Sequence, residues 1–563
     1  MSKRAAEQDT NPSKKAFKDT APVQDCFSVN LSDQAQRDKL KTDIAESSPY
    51  KHGVICPLIN DDLLRRVRKE IMSEIHFTKK ETDIYKVHQT GDLANLTGLD
   101  PEELNRLSSL NELRNALYSQ EFRDYLSHVT GSGPLSGVKK DLSINCYHKS
   151  CHLLNHDDVI GSRRVSYILY LTDPDEPWQS KWGGALRLYP THRPNIPESD
   201  WTLALPPSWN QLSFFTVQPG RSFHDVEEVY EDKARLSISG WFHIPQEGEP
   251  GYVKGEQEET EALSSLKQLE SQKLQAYDYP KRVHKDLVVD DETEKLSSED
   301  IEYLGKYLNP KLLEKDTLSK LNEKFCEESA IEIHEFLNNE YAKAVNGAID
   351  VDDLAKVPGH SSEIPSPWQL ARPPHKARYL YIDGTEDKAE PTKTVAAHSK
   401  MEEVRQLFQH KSFAHWLRKL SSMAPKSSFA VARRFRPGYD FTLATSSEGD
   451  ARLEGTLCLT PSKGWAEGEV GGYELTMAVD EDSKADPAVY GAQKDEEDDP
   501  VLLTSQADWN VFSLIVRDEG ILRFVKYVSK NATGSRWDVF GEWGVNYDDD
   551  EDEDKEDDND NDE

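Results

Sequence analysis

At 563 residues the chain exceeds what one hydrophobic core organises, so two or three domains are expected. Only 36 % of the residues are hydrophobic while 30 % are charged, which assigns part of the chain to tail and linker and leaves enough for sizeable cores. The net charge of −34 disfavours a phosphate backbone as partner, because binding one relies on cations displacing counterions, and it favours basic proteins instead.

Residues 1–25 are polar and charged and read as a disordered basic tail. Lys3-Arg4 and Lys14-Lys15, with Lys18, are spaced like a bipartite nuclear import signal, so nucleus and cytoplasm are the expected compartments. The polar N-terminus carries no secretory signal, and no apolar run reaches the roughly 18 residues of a membrane span. Cys26, Cys56, Cys146, Cys151, Cys326 and Cys458 form no CxxC pair and read as thiols in a reducing compartment.

Residues 26–250 form the first expected domain. From Tyr50 to Gly133 the pattern is helical, with Leu63, Leu64, Val67 and Ile71 on one face. Asp100 before Pro101 and Glu103 marks a helix start, and Leu104, Leu107, Leu110 and Leu113 continue the stripe. After Gly137 the period becomes two. Strands are predicted at Leu142–Tyr147, Val165–Thr172, Ala185–Tyr189, Gln211–Val217 and Leu236–Phe242, a succession that suits a β-sandwich or jelly roll. Residues 251–375 read as a helical and proline-rich connection, with Leu263, Leu266, Leu269 and Leu274 on a narrow face and Pro358 to Pro374 extended. In 376–547 the helix-then-strand order returns: a helix over Met401–Leu420, then strands at Phe429–Phe435, Leu453–Thr460, Tyr473–Ala478 and Trp509–Val516. Residues 548–563, thirteen acids with one Lys and two Asn, are a solvated disordered tail.

The two β-rich regions repeat one another. Val165–Thr172 lies over Leu453–Thr460, and eleven residues after each closing Thr stands a glycine pair, Gly183-Gly184 and Gly471-Gly472, that opens a strand. Three agreements in register indicate two copies of one β-fold.

The first copy carries Asn155-His156-Asp157-Asp158, a distant Phe223-His224-Asp225, and Arg235 eleven residues later. Two histidines and a carboxylate on one face of a metal leave three positions open, the arrangement of non-heme iron(II) oxygenases. His156 and Asp158 share a face of an extended segment, and His224 must arrive from another strand. Arg235 then offers a planar guanidinium to the far carboxylate of a 2-oxo acid. A rival set, His148, His152 and His156 at four-residue steps, would bind zinc on a helix, but the preceding residues alternate as a strand. In the second copy the alignment puts Ala444 and Ser446 at the positions of His156 and Asp158, and Arg523 at that of His224, allowing a residue or two of slippage. Arg536 lies near the counterpart of Arg235. That copy should hold no metal.

On these residues the sequence resembles the two-domain 2-oxoglutarate oxygenases of fungi and animals that hydroxylate a proline of a small-subunit ribosomal protein, the fungal prolyl 3,4-dihydroxylases above all. The resemblance runs from about Tyr50 to Trp543. It is carried by Tyr50-Lys-His-Gly-Val54, Phe77-Thr-Lys-Lys-Glu-Thr-Asp83, Asn155-His-Asp-Asp158, Trp182-Gly-Gly-Ala-Leu-Arg-Leu-Tyr189 and Ser239-Gly-Trp-Phe-His243. It implies a mainly β fold with flanking helices, two double-stranded β-helix (jelly-roll) domains in tandem, the first catalytic and the second metal-free. It further implies iron(II) on His156, Asp158 and His224, 2-oxoglutarate on Arg235, Tyr147 and Tyr170, O₂ as oxidant and ascorbate in support. The implied activity is peptidyl-proline hydroxylation of a basic ribosomal protein, linked to translation termination and accuracy. Two other readings stand beside it. One is an oxygen-sensing regulatory protein whose second domain holds a partner and controls a transcription factor's stability; a His156→Ala variant with full biological effect would favour it. The other is an oxygenase of a different protein side chain, which mass spectrometry of the product separates from proline.

Overall fold

The computed structural model describes residues 22–91, 93, 96, 100–263, 272–288, 295–353, 356–385, 396–446, 451–478 and 501–546. Both the tail at 1–21 and the acidic tail at 548–563 lie outside the described residues.

The chain folds into two antiparallel barrels built to one plan. In the first, His52–Ile55, Leu212–Thr216, Arg163–Tyr170, Arg235–His243 and Lys140–Tyr147 follow one another as neighbours. The sheet continues through Tyr85–Gln89 to His152–His156, His224–Val226, Leu186–Leu188 and Leu203–Leu205. The second has the matching run Ala330–His334, Trp509–Arg517, Arg452–Leu459, Arg536–Asn546 and Ala424–Phe435. A separate sheet holds Thr445–Ser446, Ile521–Val525, Glu474–Ala478 and Val501–Ser505. The central strands are buried on both faces, one filled by the barrel interior and the other by helices, which is why they read as near-continuous apolar runs.

Helices Asp61–Glu74, Ser108–Leu117 and Gln120–Thr130 cover the first barrel, turning Leu63, Leu64, Val67, Ile71, Leu110, Leu113, Phe122 and Leu126 into its outer core. Their starts follow the expected chemistry: Asn60 and Ser119 accept backbone N–H groups as caps, and Asp100 does so ahead of Pro101. No helix among the described residues is long and apolar enough to cross a membrane.

Four expectations need correction. Within the stretch predicted as helical, Thr78–Glu81 and Tyr85–Gln89 form a hairpin, and Tyr85–Gln89 pairs with both Lys140–Tyr147 and His152–His156; with one fully buried side chain, Val87, its alternation is faint. Residues 22–25 leave the predicted tail, since Val23–Cys26 forms a 3-10 turn packed on the first core. The predicted connection is mostly second-domain structure. Helices Ser298–Leu304, Lys315–Glu328 and Asn339–Asp353 join the second core through Leu304, Phe325, Val345 and Ile349, and Ala330–His334 pairs with Trp509–Arg517. High surface charge around a narrow apolar face hid this role. Ahead of them lies the short helix Glu256–Glu261, after which Leu263 is exposed; Leu266, Leu269 and the side chain of Leu274 fall outside the described residues. Lastly, the repeat is displaced by one residue at two points. Asn510, not Trp509, answers to Asn210, and Thr445, not Ala444, to His156.

The match between Asn210 and Asn510 is chemical. Both adopt left-handed backbone, φ 60° and 57°, a conformation that Asn tolerates better than most residues. Asn210 Oδ1 accepts from the backbone N–H groups of Leu58 and Ile59 while its Nδ2 donates to the Ile59 carbonyl. Asn510 treats Leu337 in the same manner.

The barrels meet through equivalent elements. Leu154 and Leu443 share one cluster with Ile84, Phe441 and Tyr527, and Glu228 accepts a bond from Tyr527, its counterpart. The contact therefore approximates a two-fold axis, as in a symmetric dimer.

Asn210→Ala strands the buried Ile59 N–H, while the Leu58 N–H keeps the Asn210 backbone carbonyl and the Ile59 carbonyl keeps Ser28 Oγ; with the strain put on the turn, a loss of about 1–3 kcal/mol is expected. Urea unfolding monitored by tryptophan fluorescence would measure it, and a shift below about 1 kcal/mol would contradict this account.

Candidate metal and cosubstrate site

His156 closes strand His152–His156 and His224 opens strand His224–Val226, and the two are direct cross-strand partners. Their rings lie 4.1 Å apart. Asp158 is brought round by a left-handed residue, φ 60°, so that its oxygens lie 3.3 Å from His156 Nε2 and 3.6 Å from His224 Nε2. One donor atom from each of the three falls within 4.8 Å of the others.

The surrounding bonds fix which atoms face inward. His156 Nδ1 donates to the Leu154 carbonyl and His224 Nδ1 to the Ser222 carbonyl, both at 2.8 Å. A carbonyl can only accept, so Nδ1 carries the hydrogen and the neutral ring presents a bare Nε2 lone pair. Asp158 Oδ2 accepts from Ser166 Oγ at 2.9 Å and from Trp241 Nε1 at 3.1 Å. Arg163 lies 3.7 Å from the other oxygen and stacks over Trp241 at 3.6 Å. Burial alone would raise the Asp158 carboxyl, but His156, His224 and Arg163 outweigh it and hold it far below the usual range. Burial and the neighbouring His156 push His224 down to about 4. For His156 burial acts downward too, yet Asp158 overrides it and raises the pKa. Two imidazole nitrogens and a carboxylate oxygen on one side of a small space suit iron(II) and leave half of its coordination shell free.

Arg235 sits deeper, 1 % exposed. Its Nε donates to the Gly184 carbonyl at 2.7 Å, Nη2 donates to the Tyr170 hydroxyl at 3.3 Å, and its guanidinium lies 4.8 Å from the Tyr147 ring and 4.9 Å from that of Tyr170. Among the described residues no carboxylate pairs with it. The second barrel makes the point by contrast. Arg536, opposite Phe435 as Arg235 is opposite Tyr147, donates to the Gly472 carbonyl and, at 2.8 Å, to Asp538 Oδ2. In the first barrel the place of Asp538 is taken by Ser237, whose buried Oγ has no hydrogen-bond partner among the described residues. The first barrel thus keeps a buried cation and a hydroxyl ready for an external anion.

Sequence reasoning named six residues here, and the structure brings the three metal candidates together and places Arg235, Tyr147 and Tyr170 around one another. It missed Ser237 and Trp241, two and six residues beyond Arg235 on the same strand, which even spacing could have revealed. Ser166, Arg163 and Tyr50, whose hydroxyl donates to the Phe223 carbonyl, carried no such signal. The zinc alternative does not form: His148 lies against Cys146 and His88, and His152 faces Tyr527, its ring 4.3 Å away. In the second barrel Thr445 stands opposite Arg523, and Arg523 is locked between Glu454 and Glu474.

A carboxylate between two histidines, near a buried arginine that pairs with no carboxylate among the described residues, defines an oxygenase site that takes a metal and an acidic cosubstrate. Comparison with known proteins agrees. Residues 142–243 match the 2OG-Fe(II) oxygenase superfamily, and residues 299–552 match the family described as oxoglutarate and iron-dependent oxygenase degradation C-term. The prolyl 3,4-dihydroxylase of Ostreococcus tauri is 34 % identical over 505 residues, 88 % of this chain and 95 % of that one. The prolyl 3-hydroxylase of Xenopus laevis is 30 % identical, with 55 % and 51 % covered, and that of Drosophila melanogaster 25 % identical, with 88 % and 82 % covered. The chain belongs to the 2-oxoglutarate- and iron(II)-dependent oxygenase family of these hydroxylases, and it is a dioxygenase that uses iron(II), 2-oxoglutarate and O₂.

Below its raised pKa His156 carries a second proton, on Nε2 beside Asp158, which a metal ion must displace. Affinity for manganese(II) in anaerobic titrations should therefore climb as pH rises through the raised pKa of His156, by about ten-fold per unit below it, and level off above. Affinity independent of pH between 5 and 8 would contradict the assignment. Ser166→Ala, which removes one of the two hydrogen bonds that Asp158 Oδ2 accepts, should weaken binding about ten-fold.

Proposed function

We propose that the chain hydroxylates a prolyl residue of a basic small-subunit ribosomal protein, twice on the same ring, and that it thereby acts on translation termination and accuracy. In this reading His156, Asp158 and His224 hold the iron, and Arg235 with Ser237 receives the 5-carboxylate of 2-oxoglutarate between the rings of Tyr147 and Tyr170. The observation that carries it is the buried Arg235, paired with no carboxylate among the described residues, beside a His-Asp-His set. The prolyl substrate rests on the named relatives, and its double oxidation on the sequence resemblance and the Ostreococcus tauri dihydroxylase, the other two being named 3-hydroxylases; the ribosomal substrate rests on the sequence resemblance and on charge. The net charge of −34 supports attraction of a cationic protein before RNA covers it, hence action on free or newly made substrate, and the basic clusters Lys3-Arg4 and Lys14-Lys15 support nucleus and cytoplasm as its compartments. Ascorbate is the expected supporting reductant. A regulatory partner held by the second domain is compatible with the same chemistry.

Bound iron, with O₂ and 2-oxoglutarate, supplies the oxidation that replaces a ring C–H by C–OH while 2-oxoglutarate leaves as succinate and CO₂. The protein's residues do the rest. The Leu154 and Ser222 carbonyls keep both imidazole lone pairs aimed inward, and Ser166 and Trp241 fix the rotamer of Asp158. Arg235 binds and orients the cosubstrate by a charge-assisted contact in a low-dielectric site. Tyr147, Tyr170, Ile168, Leu186 and Phe215, all buried, exclude water around it.

The deciding assay is 2-oxoglutarate turnover with iron(II) and a prolyl peptide of the ribosomal protein. Asp158→Ala should abolish turnover, and Arg235→Lys should raise KM for 2-oxoglutarate at least ten-fold, since an ammonium lacks the planar fork. The wild type should leave a product heavier by two oxygens on one proline. A wild-type enzyme inert on that peptide, or one oxidising another side chain, overturns the reading.

A further inference from the structure

We infer that the metal-free barrel is a positioning element for the cosubstrate site of the first, acting through Glu228; the inference rests on the assignment of Arg235 to 2-oxoglutarate. Glu228 belongs to the first barrel and is 1 % exposed, yet its carboxylate is satisfied by the second. Tyr527 donates its hydroxyl to Oε2 at 3.2 Å, the Lys530 backbone N–H donates to the same oxygen at 2.8 Å, and Ser529 Oγ donates to Oε1. The backbone of the same residue faces the site. The Glu228 carbonyl accepts from Gly184 N at 3.2 Å and lies so close to Gly183 that no Cβ fits there. The Gly184 carbonyl in turn accepts the Arg235 Nε bond at 2.7 Å. Two hydrogen bonds and a glycine pair separate a second-barrel contact from the guanidinium.

A second branch reaches the metal candidates. The Tyr527 ring lies 4.3 Å from His152 and packs on Leu154, and it is the Leu154 carbonyl that holds His156 Nδ1. Lys526 secures the adjoining hairpin, its buried ammonium donating to the Thr82 carbonyl and lying 3.5 Å from Glu81. Just ahead of the next strand, His375 of the second half packs at a tilt on Phe223, its ring centroid 5.1 Å away. Both histidine-bearing strands are thus backed from outside the first barrel, and a buried carboxylate with three fixed donors resists displacement because each lost bond leaves an unsatisfied group. Small misplacements of positioning groups are costly at a reacting centre.

The test uses the full chain and removes atoms only from the second barrel: Tyr527→Phe with Ser529→Ala. The expected result is a KM for 2-oxoglutarate raised about ten-fold, with kcat within about two-fold and the peptide KM unchanged. Binding of 2-oxoglutarate to the manganese-loaded enzyme without O₂ should weaken equally, and Ser529→Thr, which keeps the hydroxyl, should behave as wild type. Ser529→Ala alone serves should the double variant fold poorly, with a smaller shift in the same direction. Arg235→Lys is the control. If it weakens 2-oxoglutarate binding while the second-barrel variants do not, the positioning role is overturned and the site assignment stands. If neither changes binding, both fall. A fall in kcat that tracks loss of folded protein, with KM constant, identifies a mere brace and also overturns the inference.

Discussion

A guanidinium taken out of water needs an anion, and much of this molecule follows from where that anion comes from. In the second barrel the chain supplies it: Arg536 and Arg433 share Asp538, Arg523 lies between Glu454 and Glu474, and Arg517 pairs with Glu454. In the first barrel the equivalent position holds Ser237, and Arg235 reaches no carboxylate among the described residues. The interior is therefore incomplete as folded. Chemistry depends on that incompleteness, because the cosubstrate completes it. Buried ion pairs contribute little net stability but are costly to break, so the second barrel is committed to its charges. Restoring a metal site there would take more than three ligand substitutions.

The two barrels also divide the task of rigidity. A metal site needs its ligands held to within fractions of an ångström, and short edge-proximal strands such as His224–Val226 offer little stiffness of their own. Their inner faces must stay open to cosubstrate and oxygen. Support can then come only from behind, where Tyr527, Phe441, His375 and the donors to Glu228 are found. A barrel that has lost its chemistry is well suited to this, since its own interior is filled and its strands need not accommodate a ligand.

Much of this was legible in the sequence where local period and chemistry agree. Strand Val165–Thr172 and its partner Leu453–Thr460 declared themselves through long apolar runs, and the glycine pairs through a requirement that the structure explains, since carbonyls of Glu228 and Tyr527 press on Gly183 and Gly471. The His-x-Asp pair with a later His and Arg could be read from its chemistry and spacing, although the extended segment expected for it ends at His156 and left-handed backbone at Asp158 turns the carboxylate inward. What escaped depends on tertiary contact. The hairpin at Thr78–Gln89 is mostly half-exposed, and helices 298–353 carry so much charge that their apolar stripe looks like that of a linker. The one-residue slips at Ala444 and Trp509 arise in irregular connections, where no period survives. Glu228 could not be singled out at all, because its partners lie some 300 residues away.

The near two-fold contact between the barrels has one more consequence. In a homodimer every substitution enters a symmetric interface twice, so matched positions must tolerate their own image, and association falls away on dilution. Here the two faces are tethered on one chain, their encounter is intramolecular at any abundance, and each side can change alone. Glu228 opposite Tyr527, an acceptor facing a donor at corresponding places, is complementarity that strict symmetry forbids, since a position set against its own image carries one residue type, and that covalent fusion permits.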